Sequence, residues 1–341
     1  MTEHSKIPMP KGASCPPKPG ESLIERAAGR FGLNSFIAHP APLPPEAQAL
    51  AKVAVPVPPA QPPQPVAKAG APAPMASQGE SATQAAPAPV AVPVEFNGTR
   101  HHVDREHLRE QGLIVPEGAV TALLEEFRII KRQILVQAAD LRRQKAGPMA
   151  QRVLIGSPLP GEGKTYCALN LALSIAAEKE SEVLLVDADF AKPSILSALR
   201  LPGGPGLMDA LMDENVDVTE CVLGTDIPGL WVLPAGDTTS HDSEYLSSSR
   251  TGRVLDRLTQ GAPHRIIIFD SPPVLAASPA AELAKYVGQV VVIVRADRTG
   301  QGALDDAISL LNACPNVQLL LNGAQFSPSG RRFGSYYGYK G

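Results

Sequence analysis

One segment constrains the fold of this chain more than any other. In QRVLIGSPLPGEGKTYCALNLALSIA an apolar strand runs into a loop rich in glycine and proline, and an apolar helix follows at once. Gly161 and Gly163 let backbone N–H groups close on phosphate oxygens at the helix N-terminus. Lys164 can reach the β- and γ-phosphates, and Thr165 can ligate Mg²⁺. Pro158 replaces the first glycine of the generic GxxxxGKS/T pattern, so the strand–loop–helix context carries this prediction of a triphosphate site.

Three acidic residues end two other apolar strands. Asp187 and Asp189 follow VLLV and lie on the same side of the strand, because side chains alternate with a period of two. Asp270 ends RIIIFD, at the strand edge where ligands bind in open α/β sheets. Carboxylates there suit Mg²⁺, or one ligand and one proton acceptor. The alternative, an ordinary glycine-rich turn with a solvated lysine, does not account for all three acids.

The alternation of apolar runs with segments of helical period predicts the fold class. Strands are expected at 152–156, 183–186, 230–233, 266–269, 290–294 and 317–321, and a long helix from about 119. This order is typical of an α/β fold with a mainly parallel central sheet flanked by helices. We therefore expect a P-loop NTPase fold.

Proline divides the chain before that fold begins. Of 35 prolines, 20 lie in the first 100 residues and 15 between Pro40 and Pro93, in a stretch rich in alanine and poor in charge. Such a stretch cannot bury enough apolar surface to offset the entropy lost on ordering. The predicted organisation is a leader at 1–39 with a short amphipathic helix at 22–31, a disordered linker at 40–95, a folded domain at 119–325 and a flexible tail at 326–341. The leader helix reads equally well as a docking helix or as a transient one.

Charge and cysteine content exclude several classes. Lys and Arg number 31 and Asp and Glu 34, and the net charge of −3 gives no case for a nucleic-acid partner. The four cysteines are too widely spaced for a zinc cluster, and they fit a reducing cytosol. No apolar run approaches the roughly 18 residues of a membrane span. We expect a cytoplasmic protein that reaches the inner membrane only through a partner.

The three motifs carry a family resemblance. PGEGKT, VDADFAKP and IIIFDSPPVL resemble the Walker A, Walker A′ and Walker B motifs of bacterial tyrosine autokinases of capsular and exopolysaccharide synthesis. The likeness runs from about Glu125 to the C-terminus. SLIERAAGRFGL together with EEFRIIKR further resembles the exosortase-associated branch of that family. The resemblance implies ATP and Mg²⁺ as cofactors.

The resemblance also implies roles for individual residues. The expected catalytic residues are Lys164, Asp187, Asp189 and Asp270, with Asp187 accepting the tyrosine proton. The expected ATP contacts are Pro160, Gly161, Glu162, Gly163, Lys164, Thr165, Tyr166 and, at the adenine, Asn322. The expected Mg²⁺ ligands are Thr165, Asp189 and Asp270. Ala191 and Lys192 depart from the family, which has arginines after the DAD motif.

Two features favour a kinase over the related ATPases that partition plasmids or place the septum. Those relatives carry an additional lysine near the start of the phosphate loop, which is absent here. Three of the six tyrosines, Tyr336, Tyr337 and Tyr339, lie in the last six residues and are expected to be accessible phosphate acceptors. The alternatives are a tail that stacks on RNA or self-associates, an ATPase switch, and a nucleotide-binding scaffold without turnover.

The family pattern also predicts partners. Glu126, Arg128 and Arg132 approximate the helix motif by which family members assemble into rings, in which one subunit's tail enters the next subunit's site. Solvated helix charges are an equally good interpretation of these residues. The resemblance implies a membrane activator of the chain-length-determinant type, and a cognate tyrosine phosphatase is a further candidate partner.

Overall fold

The computed structural model describes residues 93–178, 181–237 and 239–324. The chain divides into Met1–Ala82, which lies entirely outside the described residues, and Thr83–Gly341, which holds every element described below. The predicted leader helix, nearly all of the predicted linker and the whole of the predicted tail also fall outside the described residues.

The described residues form eight strands and nine α-helices. In chain order they are β1 (Arg100–His101), α1 (Arg105–Glu110), α2 (Ala122–Arg143), β2 (Arg152–Gly156), α3 (Lys164–Ala176), β3 (Glu182–Asp187), α4 (Ile195–Leu199), α5 (Leu207–Met212), β4 (Leu223–Thr225), β5 (Leu230–Leu233), α6 (Asp242–Ser247), α7 (Ser249–Thr259), β6 (Arg265–Asp270), α8 (Pro279–Leu283), β7 (Gln289–Arg295), α9 (Gln301–Leu310) and β8 (Val317–Asn322). None of these helices combines the length and apolar character needed to cross a bilayer.

A single sheet organises these elements. Its strand order is β1-β4-β5-β3-β6-β2-β7-β8, and every neighbouring pair is parallel except β4 with β5. Strands β2 and β6 are buried along their whole length, as expected when helices cover both faces of a parallel sheet. The predicted fold class is confirmed, and the carboxyl ends of β2, β3, β6, β7 and β8 meet at one edge.

The six predicted strands are all present, and the predicted long helix is α2. Thr121 caps α2, because its hydroxyl accepts a hydrogen bond from the Leu124 amide at 3.1 Å. The buried residues of α2, which include Phe127 and Ile134, recur every three or four positions and so form one face of the helix, which packs on the sheet. Strands β1 and β4 were not predicted, since two or three residues are too short to show a period.

Residues 94–118, here called the strap, belong to the folded core although the predicted domain begins at 119. Val94 and Phe96 are buried in the core on one face of the sheet. Leu108 and Ile114 are buried in the core on the other face. The strap therefore passes around the sheet beside β4, joined to it by β1. Its short elements carry little periodicity, so the sequence did not indicate this packing.

Asp226, which directly follows β4, fastens the strap to the sheet. Its Oδ1 accepts hydrogen bonds from the Val103 amide at 3.0 Å and the Arg105 guanidinium at 2.5 Å. Its Oδ2 lies 2.6 Å from His102 Nδ1. Burial alone would raise the pKa of Asp226, but these hydrogen bonds outweigh it and lower the pKa to about 2. The carboxylate is therefore charged and holds three strap groups at neutral pH.

Asp226→Ala is expected to lower the free energy of unfolding by about 1–2 kcal/mol, because three strap groups lose their acceptor. A carboxyl whose pKa is lowered by folding stabilises above its unfolded pKa of about 4, and this contribution is lost as the pH falls through about 2. Urea denaturation at pH 7 measures the change, and the difference should shrink between pH 4 and pH 2. Asp306→Ala, on the exposed side of α9, is the control. Equal losses from both variants would contradict the role of Asp226.

Candidate nucleotide site

The loop between β2 and α3 has the backbone geometry of a phosphate cradle. Gly161 and Gly163 have φ values of +78° and +98°, a region that residues with a Cβ rarely adopt. Gly163 also lies so close to Asn322 that a Cβ at position 163 would be 2.3 Å from the Asn322 amide nitrogen. Pro160 and Gly161 are exposed at the tip of the loop. The predicted phosphate loop thus needs glycine at 163 for two separate reasons.

Two predicted nucleotide contacts use their side chains to support the loop itself. The Glu162 carboxylate is buried, accepting a hydrogen bond from the Leu159 amide at 2.8 Å and another from the Thr299 hydroxyl. The Asn322 amide donates to the Glu162 carbonyl at 2.8 Å. Both side chains contribute to the loop in this arrangement, and their contact with the nucleotide stays a prediction. Their role here is to hold the loop against the ends of β7 and β8.

The Tyr166 side chain contacts the strap, and the contact of this residue with the nucleotide stays a prediction. Its side chain turns away from the loop, and its hydroxyl donates to the Gly112 carbonyl of the strap at 2.8 Å. Burial raises the pKa of this hydroxyl above its ordinary value. Tyr166 follows Lys164 and Thr165 in the first turn of α3, so its neighbours remain at the phosphate loop while its own side chain binds the strap.

The three predicted acids converge beside Lys164 and Thr165. Asp187 and Asp270 are direct partners in the register of β3 and β6, and Asp189 follows two residues later. Asp270 is fully buried, and within the described residues neither of its carboxylate oxygens has a hydrogen-bond partner. Burial raises its pKa to about 7, aided by the Asp187 charge and opposed by the Thr165 hydroxyl and the Lys164 charge.

Asp187 and Asp189 are less alike than their spacing suggests. Asp187 is 1% exposed, and its Oδ2 accepts hydrogen bonds from the Ser194 and Ile195 amides at 2.9 Å each. Its pKa is raised to about 6, because burial outweighs these hydrogen bonds. Asp189 is more accessible, and its pKa is raised by burial against the opposing charge of Lys164. Asp187 therefore already acts as a cap for α4, whereas Asp189 can be approached from solvent.

The donor set fits a magnesium ion bound together with a nucleotide. No group of three His, Cys, Asp or Glu side chains in the described part of the chain is arranged to hold a metal by itself. Mg²⁺ is usually bound by one or two carboxylates together with substrate phosphates and water. Asp270, whose two buried oxygens have no hydrogen-bond partner in the described part of the chain, and the nearby Thr165 hydroxyl provide such a partial site.

The residues predicted to mediate assembly lie on the outer side of α2. Glu126, Arg128 and Arg132 are exposed, while Phe127, which stands where the family pattern has tyrosine, is buried in the core. Two apolar side chains share the exposed side: Ile129 is 41% exposed and Val136 is 55% exposed. A solvated charged face alone does not explain these apolar side chains. The predicted acceptors Tyr336, Tyr337 and Tyr339 lie outside the described residues.

Thr299 is a site residue that the sequence analysis missed. It lies just after β7, where its hydroxyl binds Glu162 and also accepts a hydrogen bond from the Arg295 amide at 2.9 Å. The available signal was its position after the carboxyl end of an apolar strand, which is the ligand-binding edge of such sheets.

A glycine loop at a helix N-terminus, with carboxylates at the ends of the adjacent strand β6 and of β3 beyond it, is the arrangement of the P-loop class of nucleotide-binding proteins. Solved structures agree with this fold. The kinase domain of the Escherichia coli tyrosine kinase ETK matches 69% of this chain and 93% of its own, with a TM-score of 0.51 and 17% identity. The chimerical protein CapA2B2 matches 66% and 93%, with a TM-score of 0.50 and 25% identity.

Sequence relatives identify a family within the P-loop class. Tyrosine-protein kinase YwqD of Bacillus subtilis is 30% identical over 219 residues, which are 64% of this chain and 86% of the relative. Tyrosine-protein kinase ptk of Acinetobacter johnsonii is 31% identical over 45% of this chain, and putative tyrosine-protein kinase EpsB of Ralstonia nicotianae is 32% identical over 55%. The match spans only 20% and 26% of those two longer proteins. The chain belongs to the bacterial tyrosine-protein kinases. No protein-family model matches it.

Proposed function

We propose that this protein is an autokinase that transfers the γ-phosphoryl group of ATP to its C-terminal tyrosines, and that this transfer regulates the polymerisation and export of an exopolysaccharide or capsule. The observation that carries the proposal is the buried carboxylate of Asp270, which has no hydrogen-bond partner among the described residues and lies near the Lys164 charge behind the phosphate loop. A buried carboxylate without a partner is costly unless a cation binds there. The exosortase-associated branch stays a prediction from the sequence.

The reaction would proceed at the carboxyl edge of the sheet. Mg²⁺ bound with ATP would neutralise phosphate charge, held by Thr165, Asp189 and Asp270 directly or through water. Lys164 would bind the β- and γ-phosphates. The tyrosine oxygen forms a bond to the γ-phosphorus as the bond to the β,γ-bridging oxygen breaks, and ADP leaves. Positioning and charge neutralisation supply most of the catalysis in such transfers.

The proton of the attacking tyrosine needs an acceptor, and the DAD pair offers two. Asp187 was the first choice from the sequence, but its carboxylate already accepts two amide hydrogen bonds at 2.9 Å. Asp189 is the more accessible of the two carboxyls. We therefore assign the proton to the pair, with Asp189 as the group that an incoming hydroxyl meets first.

Transfer between subunits is the route that we propose. Strand β8 ends at Asn322, whose side chain touches the phosphate loop, so the chain leaves the sheet at the nucleotide edge. The roughly 19 residues beyond it can span up to about 60 Å, enough to reach a neighbouring subunit. The exposed Ile129 and Val136 beside Arg128 and Arg132 support α2 as the interface of a ring-like homo-oligomer.

The proposed setting is the inner face of the membrane. There the kinase would associate with a membrane activator of the chain-length-determinant type. A cognate tyrosine phosphatase would remove the phosphate groups from the tail. Two or three phosphates, at about −1.5 to −2 each, would cancel or reverse the +3 charge of Arg331, Arg332 and Lys340. Phosphorylation could thereby release a contact between subunits.

Intact mass and phosphotyrosine content after incubation with Mg-ATP test this proposal. The wild type should gain phosphate on Tyr336, Tyr337 or Tyr339, whereas Lys164→Met and a variant with all three tyrosines changed to Phe should gain none. Mixing those two variants tests transfer between subunits, because only the Lys164→Met chain carries acceptors and only the other carries a working site. No mass gain even with the activator present would end the kinase proposal. ADP formation without mass gain would favour an ATPase switch.

A further inference from the structure

We propose that Tyr166 and Asn170 are positioning residues through which the strap sets the orientation of the first turn of α3, and with it Lys164 and Thr165. The inference deepens the proposed function and rests on it in one respect, since phosphoryl transfer is the reaction that this orientation would serve. The strap (94–118) would thus contribute to nucleotide binding, although none of its residues lies in the phosphate loop.

Two hydrogen bonds join the strap to α3, and a third, within α3, continues from them toward the phosphate loop. The Tyr166 hydroxyl donates to the Gly112 carbonyl at 2.8 Å. The Ile114 amide donates to the Asn170 side-chain oxygen at 2.8 Å, in a buried position. The Asn170 side-chain nitrogen donates to the Tyr166 carbonyl at 3.0 Å. Asn170 therefore ties the strap to the turn of α3 that carries Lys164 and Thr165.

These bonds act near the end of α3 that carries the phosphate loop, whereas the buried hydrogen bond from Lys131 Nζ to the Ser174 carbonyl, at 3.1 Å, lies near the other end of the helix. Most buried side chains of α3 are apolar, among them Leu169, Leu171 and Leu173. Apolar contact is not directional, so it holds the helix against the sheet without fixing its rotation as firmly as hydrogen bonds do. Asn170 is fully buried; its side-chain oxygen accepts from the Ile114 amide of the strap, and its side-chain nitrogen donates to the Tyr166 carbonyl of α3. Loss of its side chain would leave the buried Ile114 amide unpaired.

The strap can act as a reference because it is fixed independently of α3. Asp226 holds it through Val103, Arg105 and His102 beside the sheet edge. Phe96 anchors it on the opposite face of the sheet, packed edge-on against Trp231 with ring centroids 5.5 Å apart. A shift of about 1 Å in a reacting group can reduce the rate about 100-fold. Small rotations of α3 would therefore displace Lys164 and Thr165 and lower the rate of phosphoryl transfer.

Asn170→Ala, Asn170→Asp and Tyr166→Phe test the inference, with Ser174→Ala as the matched control. Ser174 lies one turn further along α3, is buried, and its hydroxyl has no hydrogen-bond partner among the described residues. The measurements are kcat and KM for ATP in autophosphorylation, calorimetric affinity for Mg-ADP, and melting temperature. Asn170→Ala should lower kcat/KM about tenfold or more and weaken Mg-ADP binding about three- to tenfold.

The remaining variants sharpen the result. Asn170→Asp, which keeps the acceptor for the Ile114 amide, should recover part of the loss, and Tyr166→Phe should lose less than Asn170→Ala. Ser174→Ala should stay within about twofold of wild type. The inference is overturned if Asn170→Ala lowers the melting temperature but leaves kcat, KM and Mg-ADP affinity unchanged, or if Ser174→Ala loses as much. Should wild type bind Mg-ADP yet transfer no phosphate, the proposed function fails while the affinities still decide the role of the strap.

Discussion

Asp270→Asn is expected to abolish phosphoryl transfer and, at the same time, to stabilise the nucleotide-free protein. The buried carboxylate has no hydrogen-bond partner among the described residues, and its pKa is raised to about 7, so ionising it costs folding free energy. Asparagine keeps the size of the side chain and removes the charge. Activity should fall at least about 100-fold, because the substitution removes a charged group that would hold Mg²⁺.

The stabilisation should depend on pH in one direction. A carboxyl with a raised folded pKa contributes its full stability below the unfolded pKa of about 4 and loses it as the pH rises through about 7. The gain from Asp270→Asn should therefore be absent at pH 3, be about 1 kcal/mol at pH 5 and reach about 2–4 kcal/mol at pH 8. Thermal or urea unfolding without nucleotide measures it. Asp306→Asn, on exposed helix surface, controls for loss of a charge. A lower stability of Asp270→Asn at pH 8 would contradict the prediction.

Gly163→Ala is expected to remove nucleotide binding almost completely. A Cβ at this position would lie 2.3 Å from the Asn322 amide nitrogen, and φ is +98°. The clash would push Asn322 off the Glu162 carbonyl and open the loop. We expect Mg-ADP affinity to fall about 100-fold or more, as measured by calorimetry.

Three further variants separate steric clash from backbone strain. Gly161→Ala has a positive φ but no atom within 4 Å of the new Cβ, so it should lose less affinity than Gly163→Ala. Gly147→Ala combines a positive φ with open space outside the phosphate loop and should leave affinity unchanged while lowering stability by about 1 kcal/mol. Gly163→Ala combined with Asn322→Ala should recover part of the affinity. If Gly161→Ala loses as much as Gly163→Ala, contact with Asn322 is not the cause.

The parts of the site with local signals were predictable. The phosphate loop, the three acids and the six apolar strands follow from spacing and period alone, because each depends on residues close together in the chain. The roles of Glu162 and Asn322 were not predictable in the same way. The hydrogen bond from Thr299 to Glu162 joins residues 137 positions apart, and the bond from Asn322 joins residues 160 apart. No local pattern encodes such a pairing.

The strap shows a second limit of sequence reasoning. Its elements are a two-residue strand and a six-residue helix, both shorter than the window in which a period can be recognised. The strap residue Arg105 and the carboxylate that it binds, Asp226, are 121 residues apart in the chain. The hydrogen bond from the Tyr166 hydroxyl to the Gly112 carbonyl of the strap was likewise not predictable, because no pattern in the sequence revealed the strap.

The position of Asn322 at the end of β8 has a consequence for biosynthesis. Ribosomes release the phosphate loop long before they release the last strand, and the loop obtains its Asn322 support only when that strand joins the sheet beside β7. A nascent chain that has already released Lys164 and Thr165 still lacks Asn322, whose side chain donates a hydrogen bond to the Glu162 carbonyl of the loop. Competence to capture nucleotide should thus arise only after β8 has left the exit tunnel, and so later than the release of the stretch that contains Asp187 and Asp270.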